Sequence, residues 1–396
     1  MMLVGIGRKS RQGGPSHGGG RHRSRATGIV GRIAAVAIAA ASSMPADAAV
    51  FGTDDRVTVP PRYAATSDKI GLFFSNQSRT VCTAFCVSDN IIATAAHCLT
   101  QVGGKPARLA DFMFARGYDR LREFARIEGH ATGSAAQHVM NGDFRHRVRP
   151  PIDAANDWAL VRLNRAACPA KGIPVTPMST GEIITEAKAG RVFQLSYHRD
   201  WTQWKLAYSK PCPAARDFKT VGWMSIAPDF LNADQMVLHQ CDTGGASSGS
   251  PMLLERPSGI SVIGINVGTY VQSKIMTDKG QVTLREKAET VANTAVNASV
   301  FAAAVEAMKS ASILPTGQPL RDLQERLTAH NLYQSRVDGT YGPLLKAAIE
   351  DYERQSRLPV TGLATAELLK RLNQQAGGLG QVSPSSAPQT EAPAKR

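Results

Sequence analysis

Short apolar segments separated by glycine, proline, asparagine and aspartate fill the chain from Phe51 to about Tyr270. Segments of this length, bounded by turn residues, are typical of antiparallel strands. The clearest of them are residues 69–74, 91–94, 158–163, 192–197 and 260–267. We therefore predict that most of the chain forms an all-β domain of the sandwich or barrel type.

The pattern changes after this region. Residues 300–308 predict a helix, with Asn297 or Ser299 as its N-cap. Residues 309–318 contain Pro315 and Gly317, with Pro319 next to them, and predict an interdomain linker. In residues 319–374 apolar side chains recur at helical spacing around a glycine-rich turn, which predicts a small all-α domain of three helices. Residues 375–396 carry too little apolar surface to fold and predict a disordered tail.

The first 48 residues have the pattern of an export signal. A basic stretch leads into an apolar run at residues 33–41, which is too short to be a stable membrane anchor. Small residues follow at positions 46–49, so residues 1–48 are predicted to be a signal peptide or N-terminal export segment, cleaved near Ala48 or Ala49. No later apolar run is long enough to cross a membrane, and we expect a secreted or periplasmic protein.

The charge and the cysteine content limit which partners and cofactors we expect. A formal net charge of +14 is compatible with an anionic partner, but no motif that reads nucleic acid accompanies it, and we expect no nucleic acid. Six cysteines fit an oxidising compartment. None forms a C-x-x-C pair and no histidine cluster has zinc-ligand spacing, so we expect neither a metal nor another cofactor.

Three segments carry the residues of a nucleophilic triad. The sequence T-A-A-H-C places His97 after an apolar strand, N-D-W-A-L places Asp157 before another, and A-S-S-G-S-P places Ser248 in a glycine- and serine-rich loop. An imidazole can take the proton of a serine hydroxyl, and a buried carboxylate orients that imidazole. We predict His97 as the base, Asp157 as its orienting acid, with Asp153 as a rival, and Ser248 as the nucleophile.

A competing motif overlaps the serine loop. Residues 245–249 also match G-x-S-x-G, which would make Ser247 the nucleophile of an α/β-hydrolase. That fold places its histidine after the serine in the chain. The only later histidine is His330, in the helical domain, so we reject this interpretation.

In this order, the three motifs resemble the trypsin/chymotrypsin superfamily. Within it they are most similar to the bacterial glutamyl-endopeptidase branch, through S-G-S-P at residues 248–251 and D-T at residues 242–243. The resemblance covers about residues 51–308 and implies a chymotrypsin-like, all-β double barrel of two six-stranded barrels, within a protease domain at residues 49–308. It also implies an oxyanion hole formed by the backbone N–H groups of Ala246 and Ser248.

Several residues depart from the family pattern. Ala246 stands at a usual glycine, so its backbone dihedrals must suit a residue with a Cβ. Ser247 stands where trypsin-like enzymes carry the aspartate that pairs with a freed N-terminus, and activation by that ion pair is not expected.

The specificity pocket implied by the resemblance contains Asp242, Thr243 and Asn266. Asn266 replaces the pocket histidine of glutamyl endopeptidases, which weakens a glutamate preference. Asp242 has the spacing of the acidic pocket base of trypsins, which would favour lysine or arginine, but it could instead be structural. The side-chain preference is therefore left open.

The resemblance also implies two disulfide bridges. Cys82–Cys98 would fix the loop that carries His97, and Cys212–Cys241 would close the loop before Ser248. The pairing of Cys86 and Cys168 stays open, since they could form a bridge or remain buried thiols.

Residues 319–374 resemble the three-helix peptidoglycan-binding domain of bacterial wall hydrolases. The resemblance rests on L-Q-x-x-L at residues 323–327, V-D-G-x-Y-G at 337–342 and L-P-V-T-G at 358–362. The leucines also have a structural reason as core residues, the glycines as turn residues, and Asp338 as a cap for the helix that follows. Peptidoglycan binding is therefore implied by the resemblance alone.

Together these features predict an exported serine endopeptidase that hydrolyses peptide bonds in proteins and is retained at the cell wall by its C-terminal domain. Two alternatives stay open. The protein could be a catalytically silent binding protein with a protease fold, which the intact triad argues against. It could also be a hydrolase of peptidoglycan peptides, although such enzymes usually rely on a zinc site or a cysteine nucleophile.

Overall fold

In the residues that the structure describes, two antiparallel sheets of seven strands each form the larger part of the fold. The computed structural model describes residues 49–100, 107–118, 124–145, 150–202, 204–219, 221–278 and 281–378, without the side chains of residues 272–289 and 376–378. The predicted export segment, residues 1–48, lies outside the described residues, and so do residues 379–396 of the predicted tail.

The first strand among the described residues, β1 (Val57–Thr58), is an edge strand of the second sheet. The first sheet follows it in the chain and consists of β2 (Ile70–Ser75), β3 (Thr80–Cys86), β4 (Ile91–Thr94), β5 (Met113–Arg116), β6 (Ala125–Arg126), β7 (Val139–Asn141) and β8 (Ala159–Arg162). Its strand order is β6-β5-β2-β3-β4-β8-β7. The apolar runs of β2, β3 and β4 are buried along nearly their whole length, as expected for strands of a sandwich or barrel core.

The second sheet adds β9 (Val192–Tyr197), β10 (Leu206–Ser209), β11 (Met236–His239), β12 (Pro251–Arg256), β13 (Gly259–Asp278) and β14 (Gln281–Asn297). Its strand order is β1-β10-β9-β12-β13-β14-β11. Buried side chains of both sheets belong to one hydrophobic core, which includes Phe85 and Leu160 of the first sheet and Leu253 and Ile265 of the second.

The two sheets confirm the predicted all-β double barrel. The implied number of six strands is wrong for each sheet, because each one gains a two-residue strand at its edge, β6 in the first and β1 in the second. The hairpin of β13 and β14 also runs far beyond the strand predicted at residues 260–267. Its second strand interrupts short apolar pairs with threonine, glutamate and asparagine, and it lacks the longer apolar run on which a strand prediction depends.

Helices α1 (Ala64–Ser67), α2 (Thr180–Lys188), α3 (Trp223–Ile226) and α4 (Ala298–Ser310) accompany the sheets. Helix α2 begins with a capping box, in which Ser179 Oγ accepts the N–H of Glu182 and the carboxylate of Glu182 accepts the N–H of Ser179. The predicted helix at residues 300–308 is α4. Asn297 is its N-cap, since Asn297 Oδ1 accepts the N–H of Ser299 at 2.9 Å.

The C-terminal domain consists of α5 (Gln318–Ala329), α6 (Pro343–Gln355) and α7 (Ala366–Gly378). The three helices confirm the predicted small all-α domain. Leucines at helical spacing form its separate core, with Leu323 and Leu327 of α5 packed in one cluster with Ile349 of α6 and Leu372 of α7. Helix α7 extends to Gly378, so the first residues of the predicted tail are helical.

The predicted linker, residues 309–318, is hydrogen-bonded to strand β8 and to the residues just before β7. Gln137 is buried, and its Nε2 donates to the carbonyl of Leu314 at 3.0 Å. Arg162 on β8 donates to the carbonyls of Met308 and Ala311 at the end of α4, where a cation also offsets the negative end of the helix dipole. The segment therefore connects the two domains along a fixed path.

Three disulfide bridges join the six cysteines. Cys82–Cys98 and Cys212–Cys241 are the two that the resemblance implied. The third bridge joins the two remaining cysteines, Cys86 and Cys168. Bridges that close loops of 16, 29 and 82 residues typically stabilise a fold by about 3–4.5 kcal/mol each, and the longest loop contributes most. In the part of the chain that the structure describes, no helix has the length and apolar character needed to span a bilayer.

Candidate active site

The pairing of β4 with β8 brings His97 and Asp157 together. These strands are antiparallel neighbours, and Thr94 pairs with Ala159 where β4 ends and β8 begins. His97 lies in the short turn that follows β4, and Asp157 lies just before β8. Asp157 Oδ2 is 2.6 Å from His97 Nδ1, while Asp157 Oδ1 accepts the backbone N–H of His97 at 2.8 Å.

This two-point contact fixes the imidazole. The side chain of Asp157 is 5% exposed and that of His97 is 25% exposed. Because Nδ1 donates its proton to the carboxylate, Nε2 of the neutral ring is left as an acceptor that can serve as a base. Burial favours the uncharged ring, but the charge of Asp157 and its hydrogen bond outweigh burial and raise the pKa of His97 above its usual value.

The rival acid, Asp153, makes different contacts. Its Oδ2 accepts the backbone N–H of Arg145 at 3.0 Å, and its Oδ1 accepts from the side-chain amide of Asn156 at 2.9 Å. Both bonds hold the loop that precedes β8. Asp157 is therefore the carboxylate that contacts the imidazole.

The serine loop (residues 242–250) is docked on the strands that lead to His97. The carbonyl of Ser248 accepts the N–H of Thr83 at 2.9 Å, and Thr83 Oγ1 donates to the carbonyl of Ala246 at 2.8 Å. Gly249 lies so close to β4 that an added Cβ would come within 2.1 Å of Thr94 Oγ1. Only glycine fits at this position, and the loop is thereby held beside the turn that carries His97.

The two adjacent serines have different surroundings. Ser247 is buried, its N–H donates to the carbonyl of Gly244, and its Oγ lies 3.3 Å from Nδ2 of Asn266. Ser248 is only partly buried. Of the two hydroxyl groups, that of Ser248 has the better access for a substrate.

The backbone between these serines and Gly245 has an unusual conformation at Ala246, with φ at +85°. A residue with a Cβ in such a conformation carries a strain of about 1–3 kcal/mol. Among the described residues, no acceptor is found for the N–H groups of Ala246 and Ser248. Two free donors in one loop can bind an oxyanion that develops next to Ser248.

Comparison with known families decides the class of this fold. The model of the trypsin family matches residues 62–282 of the chain, which include the predicted base, acid and nucleophile. The chain belongs to the trypsin family. It is therefore a trypsin-like serine protease, a hydrolase whose substrates are proteins. The family membership predicted from its motifs is confirmed.

Further comparisons extend the match. A model of a peptidoglycan binding domain matches residues 316–372, which confirms the predicted character of the C-terminal domain. Among solved structures, the chain is similar to a Glu endopeptidase in complex with MPD, with 13% sequence identity and a TM-score of 0.43. That match covers 66% of this chain and 97% of the other. No curated protein matches the chain.

Asn266 supports the serine loop of this trypsin-family protein through hydrogen bonds. Its backbone N–H donates to Ser250 and its carbonyl accepts from Gly249, while its Nδ2 donates to the carbonyl of Ser247 at 3.2 Å. Its Oδ1 lies 3.1 Å from Nε2 of His239. The structure thus places this predicted pocket residue, 2% exposed, against the loop itself.

His239 is a residue that sequence reasoning missed. Its Nδ1 accepts the N–H of Cys241 at 3.3 Å, so the ring proton sits on Nε2 and is donated to Asn266. Burial lowers the pKa of His239 to about 4, which keeps the ring neutral. A lone histidine in a strand gives no signal of its partner, because the contact joins β11 to β13, which are far apart in sequence.

The other two predicted pocket residues contact the N-terminal segment (residues 49–56). Asp242 is buried, and its carboxylate oxygens accept the backbone N–H groups of Phe51 at 2.8 Å and Asp55 at 2.9 Å. The N–H of Thr243 donates to the carbonyl of Ala49 at 3.0 Å. No sequence pattern links residues so far apart in the chain.

Two cysteine sulfur atoms lie near His97 and two near His239, and the three ligand atoms of each group are within 4.8 Å of one another. All four sulfur atoms belong to the Cys82–Cys98 and Cys212–Cys241 bridges. A metal binds the thiolate form of cysteine, which these bridges do not offer. These two groups are therefore not candidate metal sites.

In the C-terminal domain the motif residues hold the loops. Gln324 is fully buried, and the two N–H groups of its Nε2 are shared among acceptors on Tyr333, Asp338 and Thr340, each 3.1 Å away. Its Oε1 accepts the N–H of Gly339 at 2.8 Å. The predicted role of Asp338 as a helix cap is wrong. Its carboxylate accepts the N–H of Thr340 within the turn, and helix α6 starts after Gly342.

A second buried polar side chain does the same for the L-P-V-T-G motif. Glu353 on α6 accepts the N–H groups of Thr361 at 2.6 Å and Gly362 at 2.9 Å. The carbonyl of Gly362 in turn accepts the hydroxyl of Tyr341 at 2.6 Å. Both motifs thus have a structural role in this domain.

Proposed function

We propose that the chain is an exported serine endopeptidase that cleaves proteins with His97 as the base, Asp157 as its orienting acid and Ser248 as the nucleophile. The observation that carries this proposal is the two-point contact between Asp157 and His97, at 2.6 and 2.8 Å, beside a docked serine loop. Membership of the trypsin family supports the same roles, because the match includes these three positions.

The contacts of His97 with Asp157 and the family match support a two-step acyl transfer. Nε2 of His97 takes the hydroxyl proton of Ser248 as Oγ attacks the carbonyl carbon of the scissile bond, and the imidazolium then gives that proton to the leaving amine. A water molecule, deprotonated by the same nitrogen, hydrolyses the acyl-enzyme and restores Ser248. Asp157 stays ionised throughout and stabilises the imidazolium.

The free N–H groups of Ala246 and Ser248 would bind the oxyanion of each tetrahedral intermediate. A donor in such a position is worth about 3 kcal/mol of transition-state stabilisation. Neither group has a protein acceptor among the described residues, and Ala246 has the positive φ of +85°. A strained backbone retained at a reactive site is consistent with such a role.

Three disulfide bridges and the signal-like first 48 residues support export to an oxidising compartment. The family match at residues 316–372 supports retention at peptidoglycan, in the periplasm or outside the cell. Since Gln324 and Glu353 explain the motif residues structurally, wall binding rests on the family match.

Covalent labelling with a fluorophosphonate, followed by casein hydrolysis, tests the catalytic part. We expect the wild-type protein to be labelled and active, Ser248→Ala to lose both properties, and the matched variant Ser247→Ala to keep most of each. A wild-type protein that is folded but neither labelled nor active would instead be a silent binding protein.

Sedimentation with purified sacculi tests the wall-binding part. The Ser248→Ala variant should sediment with sacculi, and a chain truncated after residue 310 should remain in solution. Release of muropeptides by the wild type, but not by Ser248→Ala, would instead make the wall peptides its substrate.

A further inference from the structure

The N-terminal segment (residues 49–56) contacts the first two residues of the serine loop, Asp242 and Thr243. Asp242 receives two backbone N–H groups from this segment, at 2.8 and 2.9 Å, and the N–H of Thr243 is bound by the carbonyl of Ala49 at 3.0 Å. Ala49 is itself buried, with 4% exposure. The segment is therefore packed into the protein at this point.

A second group of contacts holds the loop at its third residue, Gly244. Arg56, at the end of the segment and 5% exposed, makes paired hydrogen bonds to Asp54 and to both carboxylate oxygens of Asp200, at 3.2 and 2.8 Å. A Cβ added to Gly244 would lie 1.9 Å from Asp200 Oδ1 and 2.9 Å from Arg56 Nη1. This ion pair therefore packs directly on the backbone of the serine loop.

Asp242 is poorly placed to bind a substrate. Its carboxylate already accepts two backbone N–H groups, and the residue is only 3% exposed. The carboxyl group of Asp55 lies near it and has a raised pKa, because of burial first and the charge of Asp242 second. A lysine or arginine of a substrate would have to displace the N-terminal segment to reach Asp242.

We propose that Asp242 is a positioning residue, which fixes the serine loop by binding the N-terminal segment, and that it does not select the substrate side chain. This inference rests on the proposed function of Ser248. The loop needs such support because Ser247 cannot form an ion pair and because Ala246 is held in a strained conformation. The segment meets this need with two anchors, Asp242 at the start of the loop and the Arg56–Asp200 pair beside Gly244.

The decisive experiment compares full-length Asp242→Asn with wild type on peptides that differ only in the residue before the scissile bond. The concentration of active sites is first titrated with a fluorophosphonate. We expect kcat per titrated site to fall by about tenfold or more for every peptide, since a displaced loop weakens an oxyanion donor. KM and the ranking of the peptides should stay the same.

Asp68→Asn is the matched control, because Asp68 is an exposed carboxylate that pairs with Arg116 on the first sheet. Its kcat should equal that of wild type. Arg56→Lys tests the second anchor, since lysine cannot form the paired bonds of a guanidinium. It should lower kcat for all peptides in the same way, and it keeps the test open if Asp242→Asn does not fold.

Other results would overturn the inference. A loss confined to peptides with lysine or arginine before the scissile bond would make Asp242 a specificity residue. A lower melting temperature with unchanged kcat per titrated site would make the segment merely structural. If the proposed function itself fails, the wild-type protein is neither labelled nor active, which distinguishes that failure from both.

Discussion

Nε2 of His239 donates its proton to the side-chain oxygen of Asn266, and the two atoms are 3.1 Å apart. The amide nitrogen of Asn266 continues the chain of bonds to the carbonyl of Ser247. A neutral, buried histidine thereby orients the amide that supports the serine loop.

Replacement of Asn266 by alanine should destabilise the protein. The change leaves the N–H of His239 and the carbonyl of Ser247 with one partner fewer in a buried site, at a cost of about 1–3 kcal/mol. Urea denaturation measures this change in the free energy of unfolding. Asn373→Ala, at an exposed position on α7, is the control and should have little effect. An unchanged stability of Asn266→Ala would contradict the network.

The pH dependence of activity tests the pairing of His97 with Asp157. Only the neutral ring of His97 accepts a proton, so kcat/KM should fall as the pH drops through the pKa of His97. Asp157 raises that pKa, and Asp157→Asn should therefore move the acidic limb of the profile to lower pH. It should also reduce kcat by about 10⁴-fold, because the favoured tautomer is lost.

Asp153→Asn is the control for this profile. Asp153 makes its bonds within the loop before β8, so its replacement should leave the acidic limb where it is. A shift caused by Asp153→Asn, and not by Asp157→Asn, would exchange their roles.

Glycine should be better tolerated than alanine at position 246. Its φ of +85° strains any residue with a Cβ, by about 1–3 kcal/mol, while the extra freedom of glycine in the unfolded chain costs about 0.5–1 kcal/mol. Ala246→Gly should therefore raise the free energy of unfolding by about 1 kcal/mol and keep activity. Ala246→Ser keeps the Cβ and should show no gain, which chemical denaturation of both variants will reveal.

Gln324→Ala should weaken the C-terminal domain alone. The hydrogen bonds of a fully buried amide to Tyr333, Asp338, Thr340 and Gly339 are lost, and the buried groups left behind cost about 1–3 kcal/mol or more. Calorimetry should show that the C-terminal domain unfolds at a lower temperature. Less protein should sediment with sacculi, while the hydrolysis of a soluble peptide stays unchanged. Gln355→Ala, exposed at the end of α6, should behave like wild type.

Much of this arrangement could be predicted because its signals are local. His97 and Asp157 each stand beside an apolar run that is a strand, and the leucines of α5 repeat with the period of a helix. The seventh strand of each sheet has only two residues, and β14 lacks an apolar run, so neither carries such a signal. The partners of Asp242 and His239 are set by the packing of distant segments, and no pattern near either residue encodes them.

The path of the chain between α4 and α5 has a mechanical consequence. Gln137 and Arg162 bind this connecting segment to the protease domain. The C-terminal domain is therefore held close to the protease domain and is not joined to it by a flexible linker. An enzyme bound to peptidoglycan through this domain would hold its active site at one distance from the wall surface. Its choice of substrate would then depend on how far a cleavable segment extends from the wall surface, in addition to its sequence.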